Sequence, residues 1–176
     1  MKEDLMLLRT MPWKHRIIMA MVFLMGFFMI YITSSSQVVM IKSILLYTVF
    51  TFVSYIDYRF RIIPDWMHLI ILAIGFININ VAMSLFGLAI SPLPFLIMEL
   101  IHKGSIGGGD IKLLGSTGFV MGYSFTSMAS IVGLLIVVLV TFLNCISKRS
   151  DRIMYFPFAP YLQIGLTIVI VCKGRF

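Results

Sequence analysis

Asp57 and Asp110 are the two acids in this chain whose settings could do chemistry. Asp110 closes a triple glycine, Gly107-Gly108-Gly109-Asp110, and opens the apolar run Ile111-Lys112-Leu113-Leu114. Asp57 closes an earlier apolar run and stands seven residues before Pro64. The chain has only seven Asp and Glu residues. A carboxylate at the mouth of an apolar helix is costly, so each of these marks a candidate functional site. Two carboxylates in one site share a proton. The ionised member can take a proton from water while the protonated one donates to a carbonyl oxygen. That is chemistry able to cut a peptide bond.

Each acid also has a structural use. Asp110 fits a helix N-cap after a glycine turn. As a catalyst it would use the glycines differently, since they lack Cβ, accept unusual dihedrals and let another chain come close. A phosphate cradle is excluded, because neither GxxxxGK[ST] nor an ordered GxGxxG is present. Asp57 reads as an ion-pair partner of Arg59 or Arg61, although the helix dipole opposes an acid at a helix C-terminus. Asp65 follows Pro64 as an ordinary first-turn acid. Glu99 is expected to pair near His102 and Lys103. His68 lies about one turn inside a helix with no second ligand, and His15 and His102 read as interfacial. Cys145 and Cys172 form no CxxC and no zinc spacing, and read as apolar fillers. The sequence calls for no metal and no cofactor.

The elements that must position these acids are membrane helices. The chain is 60% hydrophobic and 12% charged, with a mean hydropathy of +1.04. A soluble domain is about a quarter charged. The fold class is therefore all-α, a polytopic membrane bundle of about seven segments, each needing about 20 apolar residues to span. Ile17 to Thr33 is the first and Val38 to Ile56 the second. The uncharged stretch from Trp66 to Met98 turns near Asn78 and Asn80, giving a third and a fourth, with a break at Pro92 and Pro94. Leu113 to Ser147 turns at Gly122-Tyr123-Ser124, giving a fifth and a sixth. Met154 to Cys172 is the seventh. The fifth, from Ile111 to Gly122, is about 18 Å long and cannot cross ~30 Å of hydrocarbon. The glycines and Asp110 should therefore dip into a cavity lined by protein or water. Gly115, Gly118 and Gly122 form a small-residue stripe for a neighbouring helix, which would help bring the helix of Asp57 against that of Asp110.

The net charge of +7 does not indicate nucleic acid, because the basic residues fall in short loops between apolar spans. With the N-terminus inside, eleven of the fourteen Lys and Arg are inside; Lys42, Lys173 and Arg175 are outside. That is the positive-inside bias. Asp57 and Asp110 then share the cytoplasmic edge.

Three segments together resemble the prepilin peptidase family of GxGD membrane aspartic proteases, which includes the preflagellin peptidases. Asp57 with Ile63-Pro64-Asp65 is similar to the family's first catalytic segment. Gly107 through Gly115 is similar to its GxGD segment, including the continuation through Lys112. Phe156-Pro157-Phe158-Ala159-Pro160-Tyr161, with Gly165, is similar to its Pro-Phe-Gly-Pro stretch, with Ala159 in place of the usual glycine.

The resemblance implies that Asp57 and Asp110 are catalytic and that Gly107, Gly108, Gly109, Lys112, Pro64, Asp65 and Glu99 bind substrate or support the site. It implies a six-helix core over 37–176, preceded by an extra N-terminal segment and helix over 1–36. The expected partner is a type IV pilin-like precursor, cut between its short basic leader and its hydrophobic helix, at the cytoplasmic membrane of a prokaryote. The cysteine module that accompanies N-methylation in larger members is missing, so peptidase activity without methylation is expected. Because the cytoplasmic loops are basic, leader recognition falls to local acids such as Asp65 or Glu99, or to packing of the substrate helix. Two other functions use the same features: a proton-coupled transporter or channel subunit with the acids as a relay, and a non-catalytic pilus-assembly subunit.

Overall fold

The computed structural model describes residues 13–34, 36–146 and 157–173. These form α1 (Trp13–Thr33), α2 (Gln37–Phe60), α3 (Asp65–Gly75), α4 (Val81–Ile90), α5 (Leu93–Ile101), α6 (Gly108–Met121), α7 (Tyr123–Ile146) and α8 (Phe158–Lys173). No strand occurs among the described residues. Helices α4 and α5 are halves of one apolar span, Val81–Ile101, so the eight helices make a bundle of seven segments. Gln37–Phe60, Val81–Ile101 and Tyr123–Leu143 are each long and apolar enough to cross a membrane. The all-α membrane bundle is as expected. The loop from Lys148 to Arg152 and the start of the last segment at Met154 lie outside the described residues.

The breaks fall where the sequence cannot continue a helix. Asn78 adopts a positive φ of 50°, and the Asn80 side chain caps α4 by accepting from the Met83 N–H at 3.2 Å. Pro92 ends the first half of the fourth span because it has no N–H to give, and α5 restarts behind it. Gly122, at φ 80°, separates α6 from α7.

Helix α2 is the central post of the bundle. More than half (56%) of its spanning window is buried, against 17% and 22% for the spans of α4–α5 and α7. It packs against α1, α3 and α8, and Leu46, Phe50 and Val53 on it are almost wholly enclosed. Leu24, Phe86, Leu135 and Phe142 on other helices point outward, as lipid-facing residues should. Two segments are short. Helix α3 has 11 residues and α6 has 14, about 16 and 21 Å, so neither crosses ~30 Å of hydrocarbon alone.

The glycine stripe has a different partner from the one expected. A Cβ on Gly118 would be driven into the Gly87 carbonyl, and one on Gly87 into the Gly118 carbonyl; Gly115 faces Leu88. The stripe thus seats α4, not α2. The helices of Asp57 and Asp110 are joined instead through α3, which packs on both α2 and α6.

Candidate active site

Asp57 lies one turn further inside its helix than its sequence context predicted. Helix α2 runs on to Phe60, and Arg61 closes it in the left-handed region (φ 56°), its N–H donating to the Asp57 carbonyl at 2.9 Å. The Asp57 side chain is buried. Its Oδ2 accepts from the Ala159 N–H at 2.8 Å, and the Phe158 N–H lies near enough to act on the carboxylate. No ion pair with Arg59 or Arg61 forms among the described residues, although Arg61 acts on Asp57 through space. The cradle is the first turn of α8, where N–H groups have no intrahelical partner and the dipole favours an anion. The Phe158 ring packs on Phe95 of α5 with centroids 5.3 Å apart, which anchors that turn. Ala159 therefore reaches the site through its backbone, a role invisible in its side chain. The signal in the sequence was the run of prolines, Pro157 and Pro160, which marks a helix start.

Asp110 is not a helix cap. Gly107 occupies the N-cap position and Asp110 the third helical position, with no side-chain cap bond. Its Oδ1 is buried and has no hydrogen-bond partner among the described residues. The charge of Asp57 acts on it through space. The glycines before it serve by their size. None of Gly107, Gly108 and Gly109 has a positive φ. A Cβ on Gly107 would lie 3.2 Å from Asp110 Oδ2, and one on Gly109 would lie 3.3 Å from Ile63 Cβ.

That last contact and one ion pair stitch the two acidic segments together. Gly109 abuts Ile63, and Lys112 Nζ binds Asp65 Oδ1 at 2.7 Å. Pro64 caps α3, so the loop following Asp57 lies along the first turn of α6. The Lys112–Asp65 pair is largely exposed, and pairs of that kind contribute ~0–1 kcal/mol. Its value is register, with the Lys112 ammonium holding the Asp65 carboxyl below the usual carboxylate range.

Glu99 bonds the following loop instead of forming an ion pair. It accepts from the N–H groups of Gly104 at 2.7 Å and Ile106 at 2.8 Å, and meets Ser105 Oγ at 3.5 Å. It thus shapes the loop that delivers Gly107 to α6. Pairing with Lys103 fails because the adjoining loop amides need an acceptor more than an exposed ammonium does. His68 is buried with both ring nitrogens unpartnered, and no cluster of metal-ligating groups occurs among the described residues.

The model of the type IV leader peptidase family matches residues 44–147. The match covers more than half of the chain, takes in both acids and the glycine motif, and stops short of α8. Comparison with curated proteins and with solved structures returns no match.

Proposed function

Because the chain belongs to the type IV leader peptidase family, a family of multi-pass membrane peptidases, we propose that it hydrolyses its substrate through the acid pair Asp57 and Asp110. The observation that carries this reading is the contrast between the two carboxylates. Asp57 accepts from the Ala159 N–H of α8, while Asp110 lies within reach of its charge with an oxygen that has no hydrogen-bond partner among the described residues.

Two such acids share one proton. The ionised form accepts a proton from water as the water attacks the scissile carbonyl. The protonated form donates to the carbonyl oxygen, and protons then pass to the leaving amine. The pair titrates as a unit. The substrate is a type IV pilin-like precursor, cut without subsequent N-methylation where its basic leader meets its hydrophobic helix. The N-terminus is inside, which puts the acids at the cytoplasmic face of the cell membrane. Residues 37–176 form the peptidase core, and the family match falls within it. Asp65 and Glu99 are both engaged within the protein, so packing of the substrate helix carries most of the recognition.

Co-expression with a pilin-like precursor tests this. The wild type should yield the shortened product, and Asp57→Asn and Asp110→Asn should each abolish it at an unchanged membrane level. Processing that survives either change removes the paired-acid reading. No processing by the wild type would favour a relay or an assembly subunit.

A further inference from the structure

A groove enclosed by α1, α2 and α8 takes no part in the acid chemistry. It holds about 720 Å³ and its lining is mostly apolar. It extends from Pro160 to Cys172 along α8, which is ~18 Å of helix. At one end Tyr55 and Tyr58 belong both to this groove and to a smaller cavity of about 350 Å³ that Arg59 and Arg61 line. The apolar groove thus ends beside two cations. Both arginines are exposed, and neither is ion-paired among the described residues. Arg59 approaches the Tyr55 hydroxyl at 3.5 Å and lies over the Phe60 ring. One turn inward from Tyr58, Ser54 lines the groove with a buried hydroxyl that has no partner.

Cations at one end, an unpaired hydroxyl one turn in, and an apolar groove beyond follow the order of groups in a phospholipid. We propose that this groove is a binding site for an anionic glycerophospholipid. Arg59 and Arg61 hold the phosphate, for which the guanidinium fork is suited. Ser54 donates to an ester carbonyl, and the acyl chains run along α8. Helix α1 supplies the third wall, at Val22, Gly26 and Met29, which gives the N-terminal span a role in completing the site.

The rival occupant is an apolar helix. A basic leader attached to such a helix would meet Arg59 and Arg61 as like charges. That objection rests on the substrate proposed above.

The test is native mass spectrometry of the purified full chain released from nanodiscs of equal phosphatidylglycerol and phosphatidylcholine. The wild type should retain phosphatidylglycerol about tenfold over phosphatidylcholine. Arg59→Gln with Arg61→Gln should lose that preference, and Arg59→Lys with Arg61→Lys should keep most of it. Thr167→Trp, which fills the groove, should reduce retention of both lipids. Equal retention by the wild type, or a preference that survives loss of both arginines, overturns the proposal. Displacement of the lipid by an added apolar helical peptide overturns it as well. The measurement needs no cleavage, so it can fail while the peptidase reading stands.

Discussion

Replacing Ala159 by proline deletes one N–H and sets the ring Cδ in its place, against Asp57 Oδ2. Ala159 is the second residue of α8, its N–H has no partner within the helix, and a first turn tolerates proline. What is lost is the buried 2.8 Å bond to Asp57 Oδ2. A hydrogen bond to a charged group contributes ~1.5–3 kcal/mol. If that acts in full on the transition state, kcat/KM falls roughly 10- to 150-fold. The ring also crowds the carboxylate, so this range is a lower bound. Cleavage of a pilin-like precursor by purified protein in detergent, followed by mass spectrometry, measures the change. Ala159→Gly keeps the N–H and should stay within about threefold of wild type, the cost of a few tenths of a kcal/mol in helix stability at such a position. Wild-type rates from the proline variant would refute the reasoning. So would a glycine variant as impaired as the proline one.

Gly87→Ala, remote from the chemistry, should force α4 and α6 apart by on the order of 1 Å to restore an ordinary C···O approach of ~3.3 Å. Thermal unfolding should then show a loss of ~1–3 kcal/mol, and Gly115→Ala, whose Cβ would sit 3.4 Å from the Leu88 carbonyl, should lose less. Within the glycine motif, Gly108→Ala should cleave at near the wild-type rate, because its Cβ meets nothing within 4 Å. Gly107→Ala should lose about tenfold or more by displacing Asp110; equal rates for the two would contradict the steric account. Glu99→Ala removes the acceptor for the Gly104 and Ile106 amides, whose hydrogen exchange should speed up about 10- to 100-fold.

The bundle was legible because its signals are local. Asn80, Pro92 and Gly122 interrupt helices through their own side-chain or backbone chemistry, and each break falls at or beside the residues expected. The two acids stood out because charge is rare in this chain. What was not legible depends on partners far apart in sequence. The Asp57–Ala159 bond joins residues 102 apart, and a backbone N–H carries no residue-type signal. The stripe Gly115, Gly118 and Gly122 announces a close neighbour without naming it, and α4 rather than α2 fills that place. Helix α2 overran its expected end because Tyr58, Arg59 and Phe60 are sound helix residues, and only Arg61 turns left-handed. Glu99 was read against nearby cations, whereas unpaired amides in the following loop were the stronger demand.

The account stands on Asp57 and Asp110 acting as one unit, and a double-mutant cycle on cleavage measures that directly. Residual kcat/KM would be determined for Asp57→Asn, Asp110→Asn and the double variant at equal protein. Groups that act as a unit are strongly non-additive, so the double variant should be no slower than the slower single one. Losses that multiply, or substantial cleavage by either single variant, would contradict it.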